Sequence, residues 1–440
     1  MSKIEVNAIE PQCGTTLTLG ASGDTVTLAS GASQTGFGRT GTVDWQTSIK
    51  TTSFTAVSGE GYFVNTTSGA ITMTLPASPS VGDIVSVKDY AQTFNTNNLT
   101  VGRNSQPIEG QTFDLVLDTQ GVAITLIYGD ATKGWQSVNS NEVANLPTFI
   151  TATGGTITTS GNCKIHTFTG PGTFTVCSVA CTAANNQVSY MVVAGGGGGG
   201  ASHGAGGAAG GFREDKSPVT PYTSSPLEGA GPITVTATAF PITVGGGGAG
   251  ASSCSGPGTN GNNSVFSTIT STAGGGGGGE PNGDAGNGGS GGGQYASRTK
   301  GTGNTPPVSP PQGNPGGNSA HSAPNYGSGG GGGATTAGVN ATSSVGGNGG
   351  TGATTSISAS PTAYAGGGGG ATYQGGTAGT GGAGGGGNGT RGGSPGFTGT
   401  NGTAGTTNTG GGGGGGERQA PITSGFAGGS GIVIIRYKFQ

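Results

Sequence analysis

The sequence predicts an all-β chain with essentially no α-helix. Strand modules come first, followed by a glycine-rich domain of packed polyglycine II helices bracketed by β-strands. Three observations carry this expectation. Apolar and hydroxyl-bearing residues alternate with period two as far as Ala194, and no stretch shows the 3.6-residue period of a helix. Of 104 glycines only 21 precede Gly195. The glycine-dense region is framed by two apolar stretches of strand character, QVSYMVVA before it and GIVIIRYKFQ after it.

Taken in order, residues 1–46 hold short alternating fragments, TLTLG and TVTLASG, too small to bury a face within one chain. They are expected to form an intertwined attachment segment. Residues 47–140 read as an antiparallel β-domain, with GYFVNTT, AITMTLP, DIVSVKDY, FDLVLD, GVAITLIYGD and KGWQSV separated by Gly, Pro, Asn and Asp turn chemistry. Val122, Ile124, Leu126 and Tyr128 share one face of a central strand, and Trp135 is the expected core anchor. Residues 141–194 form the strand base of the next domain, in which KIHTFT and GTFTV flank Gly-Pro-Gly as a hairpin. Residues 195–440 are the glycine-rich domain. Its closing strand spans 431–439, where the continuous apolar run Ile432 to Ile435 predicts burial on both faces.

Glycine runs of four or more occur at 195–200, 245–248, 274–279, 329–333, 366–370, 384–387 and 410–416. An extended three-residue helix has no internal hydrogen bonds, and glycine is what allows such helices to pack closely. If every face is glycine, neighbours can satisfy one another's N–H and C=O groups on all sides. At about 3.1 Å rise, a six-residue run spans roughly 19 Å. Seven runs of similar length then predict side-by-side rods with unequal connectors at their ends. A flexible linker fits less well, because pure-glycine runs recur between Pro- and aromatic-bearing segments and strands bracket the whole.

Several functions are disfavoured. Charged residues are only 8% and the formal net charge is −3, with no Lys/Arg cluster, so nucleic acid is not an expected partner. MSKIEVNAIEPQCG carries no apolar signal-peptide core. Five scattered cysteines make a poor disulfide framework, and Cys177, Cys181 and His166 lack a second ligand pair for zinc. No Gly-Lys phosphate loop and no G-x-S-x-G elbow between strand and helix occurs. The acids beyond residue 195 (Glu214, Asp215, Glu228, Glu280, Asp284 and Glu417) suggest no catalytic pair. The chain is not expected to be an enzyme, nor to require a metal or cofactor. An ice-binding bundle would want a flat Thr/Ala face at a three-residue period, which the connectors do not advertise.

TGGTITTSGNCKIHTFTGPGTFTV, YMVVAGGGGGG and the ending GGSGIVIIRYKF resemble the glycine-rich domain of bacteriophage tail-fibre proteins. LTLGASGDTVTLASGASQTGFGRTGTVDWQT, with the module running from GEGYFVNTT to KGWQSV, is similar to tail fibres of marine phages, of cyanophage or pelagiphage type. The resemblance covers nearly the whole chain. It implies a virion-borne homotrimeric fibre that joins the tail or an adaptor protein through its N-terminus. It further implies that loops at the distal end of a polyglycine sandwich bind a host receptor, either a glycan or an outer-membrane protein. The competing expectation is a glycine-rich shaft or matrix protein without receptor contact.

If the connectors carry recognition, aromatic and Arg side chains are the natural contacts. The candidates are Phe212, Arg213, Tyr222, Tyr295, Arg298, His321, Tyr326, Tyr364, Tyr373, Arg391 and Phe397. Tyr364 and Tyr373 abut glycine runs and could instead cap the rods. The proline-stiffened segment 304–326 is the first choice for an exposed tip.

Overall fold

The computed structural model describes residues 43–138, 149–180, 182–252, 256–281, 283–393, 399–418 and 424–440. Most of the expected N-terminal attachment segment, and Phe397, lie outside the described residues. The chain forms two units. One runs to Gly110 and includes Asp118–Ser140; the other holds Gln111–Leu117 and Asn141–Gln440. Among the described residues the only helical element is a four-residue 3-10 turn, Ala183–Asn186.

The first unit corrects the antiparallel expectation. Its strands alternate between two sheets. Asp44–Trp45, Glu60–Val64 and Ile84–Asp89 stack in parallel in one sheet, while Phe54–Thr55, Ile71–Thr74 and Leu99–Gly102 stack in parallel in the other. Each connection crosses from sheet to sheet, so the strand that returns pairs parallel to its predecessor. Only Ala123–Asp130 and Gly134–Ser137 close the first sheet as an antiparallel hairpin. Period-two alternation specifies which side chains face inward and is silent on strand direction. Most of the inward set matches the pattern: Ile124, Leu126, Tyr128 and Trp135 are buried, whereas Val122 precedes the strand and is half-buried.

In the second unit the two framing stretches meet. Gln187–Val193 pairs antiparallel with Ile432–Lys438, with Val193 opposite Ile432 and Tyr190 opposite Ile435. Cys163–Phe168 and Thr156–Ser160 extend this sheet on one side and Phe212–Asp215 on the other. A second sheet orders Thr151–Thr153, Gly172–Ser178, Ala239–Thr243, Ser264–Phe266 and Ile269–Ser271. The Gly-Pro-Gly segment is therefore not a hairpin. The strands on either side of it enter different sheets, and Phe168 and Phe174 pack across the gap between them. The closing strand is buried on both faces, as its continuous apolar run predicts. Val433, Ile435 and Tyr437 face the core between the sheets, and Ile432 and Ile434 face Met191, Phe212 and Tyr364 on the other side.

The glycine rods grow out of this base. In the run 195–200, successive N–H groups donate to three different neighbours and then repeat. Gly195 and Gly198 donate to Asn262 and Thr259, Gly196 and Gly199 to Gly429 and Phe426, and Gly197 and Gly200 to Ala208 and Ala205. The carbonyls accept with the same period from three more: Gly274 and Gly277, Gly248 and Ala251, Gly413 and Gly416. Six neighbours around one rod, bonded with period three, is the arrangement polyglycine II demands. The run 366–370 is surrounded in the same way. Side chains are excluded because a Cβ on any of Gly195 to Gly200 would fall under 3 Å from a neighbour's backbone.

The seven pure runs are not the whole lattice. Segments such as 205–210, 258–262, 346–352 and 402–406 also bond as rods. Their composition reports their depth. Edge rods need glycine only at every third position: Gly258 and Gly261 face inward, whereas Thr259, Asn260 and Asn262 face solvent. In 346–352 only every third residue, Asn348 and Thr351, is exposed. A three-residue period is thus present in the connectors, carried by Thr and Asn positions. Where an edge rod lacks a neighbour, an Asn or Asp side chain replaces it. Asp284 and Asn287 Oδ1 accept from Thr299 and Thr302 N–H at 2.8 Å, and Asn348 Oδ1 accepts from Thr380 N–H at 2.9 Å.

Candidate functional site

At the end of the rods remote from the base sheets, the connectors converge on a basin of about 570 Å³. It is lined by His203, Glu280, Tyr295, His321, Tyr326, Tyr373 and Arg418. Each comes from a separate rod end. The run 195–200 turns back through Ser202 and His203, both held in the left-handed region (φ 54° and 57°). His321 (φ 30°) and Tyr326 (φ 49°) occupy the same region. Such conformations cost non-glycine residues of order 1–3 kcal/mol and persist only where the surroundings impose them. Those surroundings are laced together. Ser328 Oγ donates to the His203 carbonyl, Tyr373 N–H donates to the Asn325 carbonyl at 2.7 Å, and Asn325 Nδ2 donates to the Gln374 carbonyl.

The rings form a continuous wall. Tyr295 and His321 lie 5.2 Å apart, His321 and Tyr326 5.4 Å, Tyr326 and Tyr373 6.1 Å, and Tyr373 and His203 5.1 Å. All of these spacings fall in the range of attractive aromatic pairs. Behind the wall lies Glu417, fully buried, with Oε2 at 3.1 Å from His203 Nδ1 but without aligned hydrogen-bond geometry. Ser202 Oγ, His321 Nδ1 and Thr372 Oγ1 are also buried without hydrogen-bond partners. Arg418 and Glu280 pair at 3.4 Å on the exposed rim. Burial, and then the neighbouring His203, hold the His321 imidazole below its ordinary pKa; burial, and then Glu280, push the Tyr295 phenol up. Stacked rings beside buried polar groups that lack partners can take an apolar ring face and hydrogen-bond its substituents.

Of the sequence candidates, the structure brings Tyr295, His321, Tyr326 and Tyr373 together. Arg391 is half-buried and bridges Thr372, next to Tyr373. Arg298 is exposed three residues from Tyr295. The others do not join them. Phe212 and Tyr364 are core residues behind the closing strand, excluded from surface contact. Tyr222 stacks beneath the Arg436 guanidinium, 5.3 Å from its ring, near the base. Arg213 is buried there too. The segment 304–326 divides. Residues 304–312 pack at the base, where the Gln312 carbonyl accepts from Phe212 N–H, and only 320–326 reaches the basin. Proline content marked a stiff loop without saying at which rod end it sits.

Sequence reasoning missed His203 and Arg418 and set Glu280 and Glu417 aside. The available signal was a bulky polar residue interrupting glycine, as in GGASHGAGG and GGGERQ, which marks a rod end. His166, considered for zinc, instead ties the base internally: Nδ1 lies 2.7 Å from the Gly154 carbonyl and Nε2 3.2 Å from the Tyr437 hydroxyl. Cys181 lies outside the described residues.

No curated protein matches the chain. The family model described as a glycine-rich domain matches residues 167–438, which takes in the closing strand, the rods and the basin, and the chain belongs to that glycine-rich domain family.

Proposed function

We propose that the chain is a receptor-binding adhesin of a phage tail fibre, in which the aromatic basin contacts the host surface. In this reading the fibre is a homotrimer attached to the tail or an adaptor through the N-terminal part, and the receptor is a glycan or an outer-membrane protein. The carrying observation is the coincidence at one rod end of five stacked rings, buried polar groups without partners and left-handed non-glycine backbone. A lattice built of glycine has almost no side chains to present, so chemistry concentrates where rods turn. The resemblance of the framing motifs to tail-fibre proteins supports the same reading.

The test is adsorption competition. Purified full-length protein, wild type or with His321→Ala and Tyr326→Ala, is added to host cells before the phage. Wild type should block adsorption, and the double variant should lose most of that block while keeping its oligomeric state. A variant that blocks as well as wild type removes the basin from the contact. If neither protein blocks, a shaft without receptor contact is the better account.

A further inference from the structure

At the opposite, base end of the rods lies a second site, centred on Arg213. Arg213 is 7% exposed. Nη2 donates to the Ala230 carbonyl at 3.2 Å and reaches the Ser309 carbonyl at 3.5 Å. Nε and Nη1 are buried without hydrogen-bond partners. Among the described residues no carboxylate comes within ion-pair distance of it. The acids next in sequence are committed elsewhere: Glu214 accepts from Ser225 N–H and Thr355 Oγ1, and Asp215 from Gly231 N–H. A guanidinium stays charged, and an uncompensated buried charge is strongly unfavourable.

Arg213 lines a crevice of about 230 Å³ with Thr268, Thr270, Thr272, Val308 and Gln312. The far wall is firmly built. Asn304 Oδ1 accepts from Val308 and Gln312 N–H, and buried Gln312 accepts from Thr272 N–H at 2.9 Å and donates to the Pro306 carbonyl at 3.1 Å. We infer that this crevice binds a carboxylate-bearing ligand of about one sugar residue in size, its carboxylate neutralising Arg213 and its hydroxyls meeting the threonines. The inference is independent of the basin.

The test is calorimetric titration of the full chain with D-glucuronate, acetate and glucose. Glucuronate should bind saturably and glucose should not. Equal binding by acetate identifies the free carboxylate as sufficient, and weaker binding shows that the sugar ring contributes. Arg213→Gln should weaken binding about ten- to a hundredfold, the loss of charged hydrogen bonds. Val308→Trp fills the crevice without touching the contacts of the guanidinium and should do the same, so a folding defect in one variant leaves the other informative. Absence of saturable glucuronate binding to wild type, or wild-type binding by Val308→Trp, overturns the inference.

Discussion

Two single-methyl substitutions separate a side-chain-free core from a merely flexible glycine region. At Gly274 a Cβ would lie 2.5 Å from both the Ala208 and Ala209 carbonyl oxygens and 2.6 Å from the Ala209 carbonyl carbon. All three are backbone atoms of a neighbouring rod and cannot rotate away. Restoring ordinary contact at 3.4 Å forces the rods apart by about 0.9 Å. Gly274 also donates to the Gly195 carbonyl at 2.9 Å and accepts from Gly261 N–H at 3.0 Å. Overpacking costs about 1–3 kcal/mol, and loss of two hydrogen bonds adds about 1 kcal/mol each. Gly274→Ala should therefore destabilise by about 3–5 kcal/mol, a large share of a stability of about 5–15 kcal/mol. At Gly246, on an exposed edge, the same Cβ meets only Asn262 Nδ2 at 3.7 Å. Gly246→Ala should be neutral, or stabilising by about 0.4–1 kcal/mol through the unfolded chain. Guanidinium unfolding followed by near-ultraviolet circular dichroism measures both. If Gly274→Ala unfolds within about 0.5 kcal/mol of Gly246→Ala, the interlocked lattice is refuted.

Three further expectations follow from the same geometry. Asn348→Ala removes the acceptor that replaces a missing rod; it should cost about 0.5–1.5 kcal/mol and speed hydrogen exchange at the Thr380 amide, whereas Asn348→Asp keeps the acceptor and should behave as wild type. Burial pushes the Glu214 carboxyl above its ordinary range, more than its bonds from Ser225 and Thr355 lower it. The folded state then holds a proton that the unfolded state has released, so stability is greatest below the ordinary carboxylate pKa and falls as pH rises through the folded value. Thermal melts across that range should show the decline in wild type and a flatter profile in Glu214→Gln. Arg436, 3% exposed, donates to the carbonyls of Pro221, Ser356 and Ile357; Arg436→Met strands these acceptors and should lower the melting temperature, and a melt unchanged from wild type would contradict that role.

What the sequence made legible follows from which physical constraints are local. That Gln187–Val193 and Ile432–Lys438 would be strands was readable because each carries a short continuous apolar run, YMVV and IVII, bounded by the glycine-dense region. That the glycine runs would be rods was readable because no side-chain core was available to order them. The parallel pairing of Glu60–Val64 with Ile84–Asp89 was not, since alternation is identical in either direction. The parting of Cys163–Phe168 from Gly172–Ser178 was hidden for a related reason: Gly-Pro-Gly permits a tight turn and equally a corner. At the basin, aromaticity found Tyr295, His321, Tyr326 and Tyr373, but the same criterion chose Phe212 and Tyr364, which lie behind the closing strand. Residue type alone does not distinguish a rod end at the basin from one at the base.

Parity along the lattice supplies that distinction. Each pass of a rod carries the chain from one end to the other, so successive connectors alternate between base and basin wherever no pass is skipped. The run 195–200 leaves the base and delivers Ser202 and His203 to the basin; 205–210 returns and delivers Phe212 to the base sheet. The rod around 313–317 then separates Gln312, bonded at the base, from His321 at the basin. Counting passes therefore assigns ends that composition leaves open, but only when the mixed edge rods are counted with the pure runs. Edge rods are recognisable by glycine at every third position and by Asn or Asp where a neighbour is missing, as Asn260 and Asn263 accept from Gly276 and Ala273 N–H. In such a domain the glycine spacing, rather than the glycine content, encodes both the depth of a rod and the end at which the next loop emerges.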